Sequence, residues 1–214
     1  MALSIAIMGE SGSGKTTSMR NLPPEETYYI DCDGKGLSWK DWRSAYNTKK
    51  KNYKATSDKE EIVKLLVNIS EKAPHVKYVV LDTLNGVMVD DEFVRMKEKN
   101  FDKWMDLAAA VYGIVILIPK LRNDLTVLSV FHTQVERDEN GNIWTRIKTS
   151  GKKLDKIVLE SKFTTVLHSR CLDGRYIFET HSNNSTAKTP LGAFEASEVP
   201  NDIMEVIKAL EEYR

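Results

Sequence analysis

Cysteine is scarce: Cys32 and Cys171 are the pair present in 214 residues. One pair cannot build a disulfide scaffold. Both fall in strand-like contexts, so they are expected as reduced core thiols in a cytosolic protein. Net charge is absent too. The 31 basic and 31 acidic side chains cancel, so the chain is no polycation, and any nucleic-acid surface must come from local clusters. Long apolar runs are missing as well. The most apolar stretch, Leu107 to Pro119, is too short to span a bilayer, and no membrane partner is expected. The start lacks a basic segment, and its apolar run stops at a glycine loop, so no signal peptide is expected. Low-complexity tracts and internal repeats are also lacking. What remains is expected to be one α/β domain over residues 1–214, with a large core.

Against these absences stands one dense motif. Gly9-Glu10-Ser11-Gly12-Ser13-Gly14-Lys15-Thr16 has the form GxxxxGK[ST]. The apolar run Leu3 to Met8 precedes it, and a helix-compatible stretch from Thr17 to Asn21 follows. A buried strand should deliver the chain to a turn, and the turn should open a helix whose first amides point at phosphate. The glycines let successive N–H groups converge on an anion without Cβ clashes. Lys15 supplies a point charge for the β- and γ-phosphates, and Thr16 can ligate Mg²⁺. Residues Gly9 to Thr17 are therefore the candidate nucleotide-binding set, with ATP and Mg²⁺ as the expected ligands.

Strand signals fall at Leu3–Met8, Thr27–Asp31, Tyr78–Asp82 and Leu125–Phe131. Ser57-Asp58-Lys59-Glu60 reads as a capping box opening a helix through Lys72. Asp90 to Lys99 and Asp102 to Leu121 read as helices, the second bent near Pro119. Alternating strands and helices predict a mostly parallel central sheet flanked by helices, with ligands at the strands' C-terminal ends. Beyond Phe131, Asp138–Gly141 and Asp173-Gly174 signal two hairpins, and Val199 to Asp202 opens a terminal amphipathic helix. These read as antiparallel strands extending the same sheet.

Polar residues cluster at the predicted strand ends. Tyr78 to Asp82 fits a Walker B strand, with Asp82 delivered beside the phosphate loop to hold Mg²⁺ together with Thr16. Asp31 and Asp33 end the second strand on one face by period-two alternation. One of them can act on the attacking water while the other caps the loop. His132, Thr133 and Gln134 end the fourth strand, where a polar group can touch the γ-phosphate, although a purely structural role reads equally well. The remaining histidines, His75, His168 and His181, have no metal-ligand spacing.

In order, GESGSGKT, YYIDCDG, YVVLDT and VFHTQ resemble the RecA-like branch of P-loop ATPases. In more detail the chain resembles the compact phage-encoded "AAA domain" ATP-binding proteins associated with single-strand annealing recombination. The resemblance covers nearly the whole chain. It implies a RecA-like P-loop NTPase core, a Mg²⁺-dependent ATPase stimulated by DNA, and a home in the host cytoplasm. It gives Asp33 the position of the catalytic acid; this departs from the usual glutamate by one methylene, so slow hydrolysis is expected. His132 and Gln134 take the sensor positions. Ala187 to Gly192 is similar to the finger segment of ring-forming members, which makes Lys188 a cation reaching a neighbouring subunit's γ-phosphate. An exposed turn lysine is the alternative, and Arg170 is a second candidate for that task. A homo-oligomer, ring or filament, is implied, with a phage single-strand binding protein as companion.

The same resemblance puts single-stranded DNA on loops after the fourth and fifth strands. There Trp144, Arg146, Lys148, Lys152, Lys153 and Lys156 form a basic segment with an aromatic at its start. A second basic segment, Lys35 to Lys54, interleaves Trp39, Trp42, Tyr46 and Tyr53 with seven cations, although a solvated face packed on the sheet reads equally well. The expected activity is recombination ATPase on single-stranded DNA. A helicase-loader-like or regulatory ATPase acting on a protein is the second reading. A small-molecule kinase is disfavoured because no arginine-rich lid is visible.

Overall fold

The computed structural model describes residues 1–94, 102–149 and 158–213. Strand β1 is Leu3–Gly9, β2 Thr27–Asp31, β3 Tyr53–Ala55, β4 Tyr78–Asp82 and β5 Thr126–Arg137. Strands β6 Ile143–Ile147, β7 Thr165–Leu172, β8 Arg175–Glu179 and β9 Glu198–Pro200 follow. The sheet order is β3-β2-β4-β5-β1-β7-β8-β9, with β6 paired to β5. β3 through β7 in that order run parallel, and β8, β9 and β6 are antiparallel additions. This is the expected α/β class: a mostly parallel P-loop NTPase core with antiparallel C-terminal strands.

Helices are α1 Trp42–Ala45, α2 Lys59–Lys72, α3 Asn85–Val94, α4 Asp102–Leu117 and α5 Ile203–Tyr213. Asp58, not Ser57, caps α2, its Oδ1 accepting from the amides of Glu60 and Glu61 at 2.7 and 2.9 Å. The expected helix from Asp90 begins earlier, at Asn85, and residues 95–99 lie outside the described ones. α4 gives way to a 3-10 turn over Ile118–Lys120, where Pro119 removes an amide donor. No described helix is long and apolar enough to cross a membrane.

Period-two alternation sends successive side chains of each strand to opposite faces. Ala6, Met8, Val79, Leu81, Val127 and Phe131 face a core closed by α2, α3 and α4. Ile5, Ile7, Val80, Leu128 and Val130 face a second core closed by Ile203, Val206, Ile207 and Leu210 of α5. The expected helix after the phosphate loop is reduced to a 3-10 turn, Thr17–Met19. Pro23 and Pro24 explain the reduction, since they cannot continue a helix and restrict the residue before them. Cys32 is buried as expected, but Cys171 is exposed near the end of β7, and both thiols are free.

Candidate active site

Strand register assembles the site. Gly9 of β1 lies opposite His132 of β5, and Asp31 of β2 lies opposite Asp82 of β4. β5 is inserted between β1 and β4, so the Walker B strand does not neighbour the phosphate-loop strand. The two still meet, because both end at the sheet's C-terminal edge. Thr16 Oγ1 donates to Asp82 Oδ2 at 2.7 Å across that gap.

The loop at residues 9–16 is shaped by glycine. Gly12 and Gly14 take φ of +80° and +95°, open to residues without a Cβ. Ser18 N donates to Gly14 O at 2.9 Å, and Ser18 Oγ to Lys15 O at 2.6 Å, closing the turn. Lys15 is buried, its ammonium donating to the carbonyls of Gly9 and Glu10 at 2.9 and 2.6 Å. Burial lowers its pKa to about 8, against the opposing pull of Asp82.

The loop is also braced from behind by residues far along the chain. Ser169 Oγ of β7 donates to Ser13 O at 2.7 Å, and Asn201 Nδ2 donates to Ser169 Oγ at 3.0 Å. Arg20 Nη1 donates to Asn201 O at 2.9 Å, and Asn21 donates to Asp202. Nothing in the sequence signals this brace, because it joins segments more than 150 residues apart.

Asp82 is buried and held from several sides. Tyr29 Oη donates to its Oδ2 at 2.6 Å, and Thr83 Oγ1 to its Oδ1 at 2.9 Å. Burial and then the Asp82 charge push the Tyr29 phenol well above its ordinary pKa, so it stays a donor. The peptide bond between Asp82 and Thr83 is cis. Thr16 and Asp82 present oxygen donors to one point, which is the donor chemistry Mg²⁺ takes when it also bridges substrate phosphates. Among the described residues, no group of three or more His, Cys, Asp or Glu side chains forms a metal cage.

Asp31 and Asp33 part company. Asp31 is buried, and its Oδ2 accepts from Tyr53 Oη and Gly36 N, both at 2.7 Å. Asp33 lies beyond the end of β2 and is solvent-accessible. Its Oδ2 is 2.8 Å from the Lys35 ammonium. That ammonium is also 3.7 Å from Asp82 Oδ1 and 3.3 Å from Thr83 Oγ1. Lys35, read in the sequence as part of a basic surface, is thus at the acidic centre. Burial lowers its pKa, but Asp82 and Asp33 outweigh that and raise it overall.

His132 borders the loop, and its pKa is lowered by burial and by the Lys15 charge, which keeps the ring neutral. Gln134 turns elsewhere: its Nε2 donates to Glu136 Oε1 at 2.6 Å, and its Oε1 accepts from Thr149 N at 3.2 Å. Asn85, which no motif flagged, bridges the two regions. Its Oδ1 accepts from His132 N at 2.8 Å and its Nδ2 donates to Lys148 O at 2.8 Å.

The remaining predicted residues scatter. Arg146 is buried, 4.0 Å from Glu136 and 3.9 Å from Glu160, so it is no open-surface cation. Trp144 is half-buried and Lys148 exposed, while Lys152, Lys153 and Lys156 lie outside the described residues. Lys188 is exposed, its backbone paired with Val166 of β7. Arg170 is bound within the chain to Glu179, which His168 also contacts at 2.8 Å. In the second basic segment, Trp39, Trp42, Tyr46 and Tyr53 pack on Tyr29 and on one another, with centroids 5.3–6.4 Å apart.

A family described as "AAA domain" matches residues 1–191. The chain belongs to this AAA domain family. Comparison with curated proteins gives no match. The matched span contains the phosphate loop, both acidic strand ends and the His132 strand. The brace from Asn201 and the helix α5 lie beyond it, so this AAA domain's nucleotide-binding loop is supported from outside the matched span.

Proposed function

We propose that this AAA domain binds ATP with Mg²⁺ and hydrolyses it slowly in the service of single-stranded DNA recombination. Thr16 and Asp82 would hold the Mg²⁺, which would supply charge neutralisation at the phosphates. Lys15 grips the same phosphates. Asp33 orients the attacking water and takes its proton, since Asp31 is engaged by Tyr53 and Gly36. The 2.7 Å contact between Thr16, at the end of the phosphate loop, and Asp82, at the end of β4, is the observation that supports the hydrolytic reading.

The DNA half rests on Asn85. Its bridge links the strand-end cluster to Lys148 at the base of the basic segment. A strand held by Trp144, Lys148, Lys152, Lys153 and Lys156 would report to His132 through it. Lys188 reaches a neighbour's γ-phosphate in a RecA-like ring or filament. A regulatory ATPase acting on a protein is favoured by one observation: Val135 and Ile143 are exposed on the β5–β6 hairpin.

Phosphate release with and without single-stranded DNA tests the choice, beside a mobility-shift assay at stated salt. Stimulation by DNA, lost in Asn85→Ala, is expected. Unstimulated turnover with no DNA binding at low salt would remove the recombination reading.

A further inference from the structure

Lys35 stands between two residues with positive φ, Gly34 at +64° and Gly36 at +79°. The chain therefore doubles back immediately after β2. Gly36 N pins the bend by donating to Asp31 Oδ2 at 2.7 Å. Further along the same loop, Ser38 Oγ and Thr17 Oγ1 are 2.8 Å apart, which tacks the loop to the turn after the phosphate-binding residues. A lysine at this one position is carried across the strand ends, not out along the sheet edge.

Its ammonium faces the centre from there. It is 2.8 Å from Asp33, 3.3 Å from Thr83 Oγ1 and 3.7 Å from Asp82. Thr16 and Asp82 would hold a Mg²⁺ that neutralises the triphosphate, which would bring the γ-phosphate near Asp82. Lys35 is then within a small side-chain movement of it. Lysine's flexible stem permits that movement, and this side chain is 43% exposed, so it is not locked by packing.

We propose that Lys35 is a second cation, beside Lys15, that this domain aims at the γ-phosphate from within its own chain. The proposal rests on the ATPase reading of the site. With ATP bound, the ammonium exchanges Asp33 for γ-phosphate oxygens. Water oxygen then forms the new bond to the γ-phosphorus. The bond to the β–γ bridging oxygen breaks, and its electron pair leaves with ADP. The water proton passes to Asp33, freed of its lysine, and onward to solvent, giving inorganic phosphate. Lys35 thus does two jobs: it holds Asp33 in reserve before substrate arrives, and it offsets the charge that develops as the bond breaks. A neighbouring subunit is not needed for either.

The experiment compares wild type, Lys35→Gln and Lys35→Arg for binding of Mg²⁺-ADP and of the non-hydrolysable triphosphate AMP-PNP, by calorimetry. Thermal melts confirm that the variants fold. The expected result is that Lys35→Gln weakens AMP-PNP about tenfold while ADP changes less than about twofold, as loss of a charge-assisted contact to the γ-phosphate requires. Lys35→Arg should retain most of the AMP-PNP affinity, and the pattern should persist at dilutions where the protein is monomeric. Equal weakening of both nucleotides, or no change in either, overturns the proposal. Failure of the wild type to bind ADP at all would instead bring down the ATPase reading on which it stands.

Discussion

The phosphate loop and the 35–54 segment both stand out in the sequence, yet they carry their chemistry in different ways. In the loop, chemistry belongs to the backbone: two positive-φ glycines and a buried lysine converge on one point. Spacing alone specifies that geometry. In the 35–54 segment, chemistry depends on where side chains point. Its aromatics turn inward, Tyr46 fully buried and Trp42 against Tyr53 at 5.3 Å. Its first lysine turns to the acidic centre. A backbone motif is legible as a string, whereas a side-chain surface is legible only once its packing partners are known.

The sharpest way to break the comparison is at the loop itself. Lys15→Ala should reduce ATP hydrolysis by about 10³-fold or more, as expected when a central phosphate cation is removed. Unchanged phosphate release would refute the site. Next is the acid pair. Asp33→Asn should lower kcat about 10²-fold with KM nearly unchanged, the usual weight of a general base. Asp31→Asn should leave turnover largely intact and cost about 1–2 kcal/mol of stability, because it disturbs hydrogen bonds to Tyr53 and Gly36. The opposite pattern in steady-state kinetics and denaturant melts would move the base to Asp31.

A smaller effect follows from pH. Lys15 titrates near 8 in the fold against 10.5 in the open chain, so the unfolded state binds more protons between those values. Stability of the nucleotide-free protein should rise with pH across that window. Nucleotide affinity should fall, since phosphate is held by the ammonium: from pH 7 to pH 9 the ADP Kd should rise about tenfold. Lys15→Arg should flatten this dependence. A flat wild-type profile measured by calorimetry would mean that the lysine is not the group being titrated.

The smallest effect on binding is expected at Trp42. Trp42→Ala should cost about 2 kcal/mol in a denaturant melt through lost packing. DNA affinity should stay within about twofold, whereas Trp144→Ala should weaken single-stranded DNA about tenfold through lost stacking. Weaker DNA binding with an unaltered melt for Trp42→Ala would restore the 35–54 segment as a polymer surface.

Much of the fold was legible because its signals are local. Thr27–Asp31 and Tyr78–Asp82 were read to the residue from branched and aromatic runs ending in aspartate. Both hairpins were marked by their turns. Less visible were β3 and β9, three residues each, too short to show a period. The phosphate-loop motif favours a helix after it, but Pro23 and Pro24 hold that segment to a 3-10 turn.

The sequence by itself determined the phosphate loop, the acid at the end of β4 and the parallel core, since glycine conformation and period-two burial act within a few residues. Only the tertiary structure decided which partner each aspartate takes, where Lys35 points, and what supports the loop. Asp31 and Asp33 are equivalent on paper until Tyr53, from another strand, occupies one of them. Ser169 and Asn201 brace Ser13 only because β7 pairs with β1 and β9 pairs with β8. Such contacts depend on register between distant segments, which local sequence patterns do not specify.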